Sequence, residues 1–572
     1  MPLMHVLAFE AGSADLFFTI DYSLGVTSLG RAMHSFVMPL KITRPLSSVS
    51  DLHAHATAHS AHLLSSMRSS GDLELDAEST RKTHAELDAG TMLGPWPASR
   101  LPPWLRTVSR RFPIWENHGS AGARKCRNLD DMSESNVNST VEDYESYSPK
   151  GIEYIMALVV LLRGMFGDSV GLLGWTADFK AAYRQVACNP SEYPDLGVAW
   201  WDFQANSVMV GILTALAFGS RRAGPNWGRV ILLLMTIGWH HFCLLTLDYV
   251  DDVNSIEPAF SAESGRTSWH FLIELVGLVL DPAKCSPAAT PSFDSLGVRW
   301  TLQPHADGLV EVLACRAAAL QDEIREIIRR NQLFPSHAGR LRGKLQFACI
   351  SAFGRYGRAQ LAALKRRQYR DASCAAKDYI LSPHLEATLL WWVVRLSSLP
   401  PRGVPPSPTW KHLVGYSDGE GSGGLAACLT FADKSTEYCC TEVPSSILQR
   451  WAGKQNIHRI EALGPLLTFL TWGEHLKGKL LLFFIDNKSA LGSMVGGWSN
   501  EKHINDISAL TWHLAAEMNI YVYFEWVESA ANIIDAASRA KSDSDHEVYL
   551  ARGWKRVAPV EPWSLLFSDP ST

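Results

Sequence analysis

The sequence lacks the features that define several common classes of protein. Its ten cysteines are scattered without any Cys-x-x-Cys spacing, which argues against a zinc knuckle and against a disulfide framework and indicates a reducing compartment. No basic segment followed by an apolar core stands at the start, so we predict no secretory signal peptide. The net charge is −5, which argues mildly against a nucleic-acid partner. With 47% hydrophobic and 19% charged residues in a chain of 572, we expect a globular protein of about two to four domains.

The charge of the whole chain conceals two basic stretches. Residues 321–370 contain twelve Lys and Arg against three Asp and Glu, and residues 100–127 contain seven against one. Because phosphate contacts supply most of the affinity for nucleic acids, two such stretches suit the walls of a nucleic-acid groove. The alternative is that they are solvated helix faces.

Residues 230–247 contain no Lys, Arg, Asp or Glu, and the length of this run is borderline for crossing a bilayer. The run includes His240 and His241 and leads directly into two adjacent aspartates. We interpret it as a buried helix followed by a buried strand, with a membrane span as the alternative. We therefore expect a cytoplasmic or nuclear protein that is neither secreted nor embedded in a membrane.

The adjacent aspartates are Asp251 and Asp252, which lie between the β-prone runs 244–250 and 253–256. Neighbouring side chains on a straight strand point to opposite faces, so both can serve one site only if the chain turns there. We predict a strand, a tight turn and a second strand. Crowded carboxylates repel one another, and Mg²⁺ prefers such oxygen ligands. A solvated surface turn is the alternative, but a further carboxylate, Asp178, follows an apolar run upstream.

Two of these segments resemble the catalytic palm of reverse transcriptases. Residues 178–186 resemble the first metal-binding motif of that family, and Tyr249-Val250-Asp251-Asp252 resembles its Tyr-x-Asp-Asp box. The resemblance implies that Asp178 and Asp251 bridge two Mg²⁺ ions about 3.5–4 Å apart, with Asp252 in support and Mn²⁺ as a possible substitute.

The resemblance also assigns four residues to the incoming nucleotide. Lys125 and Arg127 resemble the basic fingers residues that meet the triphosphate, with plain surface charge as the alternative. Tyr183 lies where the family places an aromatic ring that crowds the sugar 2′ position and favours deoxynucleotides; a core tyrosine is the alternative. Lys284 matches a family lysine near the triphosphate.

Further segments resemble other parts of the same family. Residues 218–227 resemble the second motif, although Arg221 and Arg222 are atypical there. Residues 295–300 resemble the primer-grip strand, and residues 341–348 resemble the thumb or connection region.

Beyond residue 411 the pattern predicts three strands, a helix, a strand, two helices, a strand and a final helix, which is the layout of the ribonuclease H fold. Four carboxylates fall where that fold places its ligands for two further Mg²⁺ ions: Asp418, Glu461, Asp486 and Asp535. Because proline breaks a helix after its first turn, Pro465 predicts that the first helix begins near Glu461 or is kinked there.

Together these features predict an α+β protein with palm, fingers and thumb followed by a ribonuclease H-like α/β domain. The expected boundaries are a poorly defined region 1–95, fingers and palm 96–302, helical thumb or connection 303–398, Pro-rich linker 399–410, ribonuclease H-like domain 411–545 and tail 546–572.

The resemblance, which is to gypsy and DIRS-like retrotransposons, implies an RNA-directed DNA polymerase with ribonuclease H activity. Its partners would be an RNA template, a DNA primer, dNTPs and the RNA–DNA hybrid, while the oligomeric state stays open. No Asp-Thr-Gly or Asp-Ser-Gly protease box and no integrase or recombinase signature is seen, so we expect a fragment of an element or a decayed copy. The alternative function is a decayed or domesticated nucleic-acid-binding protein that keeps the fold without the chemistry.

Overall fold

The computed structural model describes residues 2–117, 124–303, 308–369, 378–404, 412–451 and 456–567. Helices and sheets are both extensive, which confirms the α+β class. The chain divides into two compact units. The first comprises Met1–Leu162 and Val170–Ser295, and the second comprises Arg163–Ser169 and Leu296–Thr572.

The first unit contains three groups of paired strands and the helices that cover them. Its strands are β1 (Leu40–Thr43), β2 (Met92–Pro97), β3 (Val108–Asn117), β4 (Arg124–Asp131), β5 (Asp143–Glu145), β6 (Leu172–Asp178), β7 (Gly197–Asp202), β8 (Ser207–Leu213), β9 (Thr246–Tyr249), β10 (Asp252–Pro258) and β11 (Ser292–Ser295). Its helices are α1 (Pro2–Glu10), α2 (Phe18–Leu24), α3 (Val49–Ser66), α4 (Leu73–Asp88), α5 (Ile152–Phe166, which runs into the second unit), α6 (Ala223–Phe242) and α7 (Ala262–Leu275).

Two sheets of this unit position its chemistry. One has five strands in the order β2-β8-β7-β3-β4, and the other has three in the order β6-β10-β9. The predicted strand, turn and strand around the two aspartates are confirmed as β9 and β10, which we call the carboxylate hairpin (residues 246–258).

The uncharged run 230–247 is confirmed as a helix, α6, followed by a strand, β9. Trp227, both isoleucines and two of the three leucines of α6 are buried because they pack into the core beneath the small sheet, whereas Trp239 is exposed. None of the helices in the described residues combines the length and apolarity needed to cross a bilayer.

The prediction that residues 1–95 are poorly defined is wrong for the described residues, which form α1 to α4 and β1 and most of β2. Buried charges hold this region in place: Arg229 of α6 pairs with Asp15 at 2.6 Å and with Asp21 at 2.9 Å. The atypical Arg222 is also buried, and it donates to the Gly30 carbonyl at 2.6 Å. The sequence around Arg222 could not indicate these contacts, because Arg222 and its partners lie about 200 residues apart in the chain.

The histidines of α3 form no metal site among the described residues. Of the four, His55 and His62 are exposed, as expected for a solvated helix face. The other two are half-buried, and His53 pairs with Asp195 at 3.1 Å.

The second unit consists of a helical part followed by a sheet covered by helices. Its strands are β12 (Val298–Thr301), β13 (Gly308–Val312), β14 (Arg402–Val404), β15 (Leu413–Gly419), β16 (Gly424–Thr430), β17 (Thr436–Glu442), β18 (Leu480–Ile485), β19 (Tyr521–Trp526) and β20 (Lys555–Arg556). Its helices are α8 (Ala314–Arg330), α9 (Pro335–Ala348), α10 (Leu361–Tyr369), α11 (Pro383–Arg395), α12 (Ser445–Arg450), α13 (Ile457–Leu476), α14 (Lys488–Gly496), α15 (Lys502–Glu517), α16 (Asp535–Ser538), α17 (Glu547–Ala551) and α18 (Trp563–Phe567).

The large sheet of this unit has the order β19-β18-β15-β16-β17-β20. β15, β16 and β17 are antiparallel neighbours, whereas β18 lies parallel to both β15 and β19. Three antiparallel strands joined to parallel strands through α13, α14 and α15 confirm the order of elements predicted beyond residue 411.

Four local predictions need correction. The predicted primer-grip strand is two strands, since β11 ends at Ser295 and β12 begins at Val298. Within the predicted linker 399–410, β14 pairs with β13, while residues 405–410 lie outside the described residues. The predicted tail 546–572 contributes β20 to the large sheet. α13 begins at Ile457, earlier than predicted.

The alternative prediction, a kink near Glu461 caused by Pro465, is also wrong. α13 continues through Pro465, and its non-helical dihedral angles lie at Trp472 (φ −117°, ψ 21°). Residues 460–469 are all buried, so packing against the sheet outweighs the cost of proline in the helix.

Candidate active sites

The first candidate site lies where β6 ends and the carboxylate hairpin turns. Asp178 is the last residue of β6, and it pairs in register with Asp252, the first residue of β10. Directly opposed residues of antiparallel strands point to the same face, and the two carboxyl groups are hydrogen-bonded to each other. Asp251 occupies the turn, and its carbonyl accepts from the Phe179 N–H at 3.2 Å. The structure thus brings the three predicted aspartates together.

The turn is held in an unusual backbone conformation. Val250 has φ +61°, which is rare for a β-branched residue. Its N–H donates to the Tyr147 hydroxyl at 3.1 Å, and its carbonyl accepts from the Trp227 indole at 2.6 Å. The Tyr147 hydroxyl in turn donates to the buried Asp248. Strained backbone persists only where its surroundings fix it, as these contacts do here.

The electrostatics of this site favour a bound cation. Burial, followed by the charges of Asp251 and Asp178, raises the pKa of Asp252 to about 7. Burial and the Asp178 charge also raise the pKa of Asp251. The Lys284 ammonium donates to Asp178 at 2.6 Å, and although burial acts against it, this contact raises the pKa of Lys284. Crowded carboxylates next to only one ammonium group fit Mg²⁺.

Three of the four residues assigned to the nucleotide interact with the aspartates. Lys284 contacts Asp178 directly, while Asp251 interacts electrostatically with Tyr183 and with Arg127. Lys125 lies two residues from Arg127 on β4 and is exposed, but no contact joins it to the carboxylates.

The second candidate site lies at the ends of strands in the large sheet. Ligand oxygens of Asp418 (β15), Glu461 (α13) and Asp486 (after β18) all lie within 4.8 Å of one another, the one group of this kind among the described residues. A Cβ atom added at Gly464 would lie 2.1 Å from the Ser417 hydroxyl. The absence of a side chain there allows α13 to approach β15 closely and brings Glu461 to Asp418.

Asp418 and Glu461 of this second cluster are buried, Asp486 is half-buried, and none of the three forms an ion pair among the described residues. Burial and the charges of Asp486 and Asp418 raise the pKa of Glu461 to about 9. Burial likewise raises the pKa of Asp418 to about 6, despite a hydrogen bond from Ser538. The Glu461 Oε2 atom is buried and accepts no hydrogen bond from the described residues. An orphaned carboxylate oxygen beside two further carboxylates fits a divalent cation.

The fourth predicted ligand, Asp535, lies at the margin of this cluster. It is the first residue of α16, it interacts electrostatically with Asp418, and it pairs with Arg539 at 2.6 Å. It is not among the three carboxyls whose oxygens lie within 4.8 Å.

Sequence reasoning missed several residues that support both sites. They are Tyr147 and Trp227 at the carboxylate hairpin, Phe218 beside Tyr183, and Ser538 and Asn532, which donate to Asp418. Asn532, Ser538, Phe218 and Trp227 lie within segments that carry a motif, but Tyr147 lies about 100 residues before the hairpin and gives no local signal.

The basic stretch 321–370 is divided between structural and solvent-facing roles. Arg355 and Arg358 donate to the Val495 and Gly496 carbonyls at the end of α14, so these two cations hold helices together. By contrast, Arg340 of α9 and Arg366 of α10 are exposed. The exposure of Arg340 and Arg366 fits either alternative, a groove wall or a solvated helix face, whereas Arg355 and Arg358 have a structural role that neither alternative included.

Comparison with known proteins gives a likeness in structure only. No family model matches the sequence, and no curated protein matches it. Among solved structures, a foamy viral protease-reverse transcriptase in complex with double-stranded DNA is 12% identical, with 92% of this chain and 82% of that chain covered and a TM-score of 0.45. The same viral protein with an RNA/DNA hybrid is 11% identical, with 95% and 65% covered and a TM-score of 0.45. Likeness at this level transfers no residue role and no activity.

Proposed function

We propose that this chain is an RNA-directed DNA polymerase with ribonuclease H activity on RNA–DNA hybrids, and that it derives from a retrotransposon. The observation that supports the proposal is the recurrence of a carboxylate cluster at strand ends in both units. One cluster is Asp178, Asp251 and Asp252, and the other is Asp418, Glu461 and Asp486. Two-metal nucleotidyl transfer and hydrolysis both require such clusters.

In the first unit, the chain's own residues would bind and orient the substrates. Asp178, Asp251 and Asp252 would hold two Mg²⁺ ions. When bound, these ions supply activation of the primer 3′-hydroxyl and neutralisation of phosphate charge. Arg127, in electrostatic contact with Asp251, would meet the triphosphate, and Lys125 on the same strand face extends this cationic surface.

Lys284 would also act at this first carboxylate cluster. Its ammonium lies against Asp178, so it offsets the carboxylate charge and stands at the point where a triphosphate would approach. In the second unit, Asp418, Glu461 and Asp486 would hold the ions, with Asp535 joining them on binding. Ser538 and Asn532 orient Asp418 by hydrogen bonds to its two oxygens.

The proposal is tested by primer extension on an RNA template and by cleavage of an RNA–DNA hybrid, both with Mg²⁺. Asp251→Asn should abolish extension but leave hybrid cleavage intact, whereas Asp486→Asn should abolish cleavage but leave extension intact. Each variant is therefore the control for the other. Fluorescence anisotropy of a labelled primer–template measures binding separately. A wild-type protein that binds but neither extends nor cleaves would show a nucleic-acid-binding protein without catalysis.

A further inference from the structure

Two aromatic rings stand beside the first carboxylate cluster. Tyr183 and Phe218 have ring centroids 6.0 Å apart and tilted by 38°, and we call this pair the aromatic shelf. Tyr183 interacts electrostatically with Asp251, so the shelf lies close to the hairpin turn. Phe218 is 38% exposed, although burial of a phenylalanine side chain generally stabilises a folded protein. Part of the Phe218 residue is therefore accessible to a ligand.

A guanidinium also borders the shelf. Arg127 lies 4.9 Å above the Phe218 ring, within the range of a cation–π contact. The same guanidinium pairs with Glu116 at 2.7 Å and interacts with Asp251. The shelf thus lies near both a guanidinium and a carboxylate, an arrangement that suits a nucleotide with its sugar against the rings.

One buried arginine joins the segments that bear the two rings. Arg184 follows Tyr183 directly, and its guanidinium donates to the Leu216 carbonyl at 2.9 Å, two residues before Phe218. Its side chain is 13% exposed. The Arg184 side chain therefore connects the backbone next to Tyr183 with the backbone just before Phe218.

Arg184 also connects the shelf to strand β4, which carries Arg127. It pairs with Asp130 at 3.2 Å and with Glu86 at 3.1 Å. The Asp130 N–H donates to the Phe218 carbonyl at 3.1 Å. A Cβ atom at Gly219, where φ is +137°, would lie 2.1 Å from the Asp130 carbonyl oxygen, so this close approach requires glycine.

We propose that Arg184 is a positioning residue that holds Tyr183 and Phe218 as one aromatic shelf, against which the sugar of the incoming nucleotide is selected. This inference rests on the proposed polymerase function. The Arg184 guanidinium binds Glu86, Asp130 and two carbonyl groups and, within the part of the chain that the structure describes, neither carboxylate of the hairpin turn, so it acts through the two rings. Under this proposal, Phe218 and Tyr183 together determine the specificity for the sugar of the nucleotide.

The chemistry of arginine makes this role specific. A guanidinium presents five donors in a planar fork, and Arg184 directs them to two carboxylates and two carbonyl groups. Lysine keeps the positive charge but cannot reach all these acceptors from one ammonium. Arg184→Lys should therefore retain the fold and lose part of the positioning, whereas Arg184→Met should lose all of it.

The test is single-nucleotide incorporation opposite an RNA template, with dATP and ATP compared. In Arg184→Met we expect the KM for dATP to rise about 10-fold and the preference for dATP over ATP, as a ratio of kcat/KM, to fall about 10-fold. Arg184→Lys should lie between this variant and the wild type. Phe218→Ala should reduce the same preference, and its effect should not add to that of Arg184→Met because both act through one shelf.

Two controls separate positioning from general damage. Arg266→Met removes a guanidinium that pairs with Glu263 at 2.5 Å on α7, and it should leave the preference unchanged. Hybrid cleavage by each variant reports on the fold of the same polypeptide. If Arg184→Met and Arg184→Lys lower kcat/KM equally for dATP and ATP, the positioning role is overturned. If the wild type incorporates neither nucleotide, the proposed polymerase function itself fails, which is a different result.

Discussion

Glu461 gives the sharpest prediction about the second cluster, because its carboxyl is buried beside two others and forms no ion pair with the residues that the structure describes. Its pKa of about 9 lies far above the ordinary value of 4.5. The folded protein therefore holds a proton that the unfolded chain releases, so the free energy of unfolding falls as pH rises from about 4.5 towards 9. At pH 7 this loss extends over about 2.5 pH units at about 1.4 kcal/mol each, or about 3.5 kcal/mol.

Glu461→Gln keeps the shape of the protonated carboxyl without needing the proton. In EDTA at pH 7 we expect the variant to be about 3.5 kcal/mol more stable than the wild type, which corresponds to a rise in Tm of about 7 to 14 °C. At pH 5 the difference should shrink below about 1 kcal/mol. Mg²⁺ should raise the Tm of the wild type more than that of the variant, because only the ionised carboxylate binds it.

Thermal unfolding in the two buffers measures these differences. Glu474→Gln is the matched control, since Glu474 is exposed on the same helix and its substitution should change stability by about 0.5 kcal/mol or less. If Glu461→Gln melts within about 2 °C of the wild type at pH 7 in EDTA, the view of Glu461 as an unneutralised buried carboxyl is refuted.

Three further substitutions address other contacts. Tyr147→Phe removes the hydroxyl that fixes the turn of the carboxylate hairpin, and primer extension should slow about 10-fold with binding of primer–template unchanged. Ser538→Ala removes a donor to Asp418, so hybrid cleavage should slow about 10-fold in a cleavage time course, while extension stays constant. Arg229→Met leaves the buried Asp15 unpaired and should cost about 3–5 kcal/mol, measured as a lower midpoint of urea unfolding.

Where local sequence determines local structure, the sequence predicted the fold well. The two β-prone runs and the turn residues around Asp251 and Asp252 were enough to predict the carboxylate hairpin, and the succession of strands and helices along the chain beyond residue 411 followed from similar patterns. The site aspartates could be found because each follows an apolar strand. Asp178 and Asp252 then meet because β6 and β10 are neighbours in register.

Where long-range contacts determine structure, sequence reasoning was insufficient. Residues 1–95 gave no motif, yet Arg229 and Arg222 hold part of this region by contacts that cross about 200 residues. Pro465 predicted a break in α13, but its buried surroundings outweigh that local preference. Tyr147 could not be recognised either, because its function depends on a hairpin about 100 residues later.

The two carboxylate clusters differ in how the protein alone offsets their charge. Lys284 lies against Asp178 in the first, so the fold itself provides a cation that an incoming triphosphate could engage. Glu461 in the second has an oxygen with no donor among the described residues, and the neighbouring Arg539 pairs with Asp535 at the margin instead. A polymerase site must admit a highly charged substrate beside its carboxylates, whereas a hydrolytic site admits a phosphodiester and water. The ion pair at Asp178, with none at Glu461 among the described residues, fits the division of chemistry that we propose for the two units.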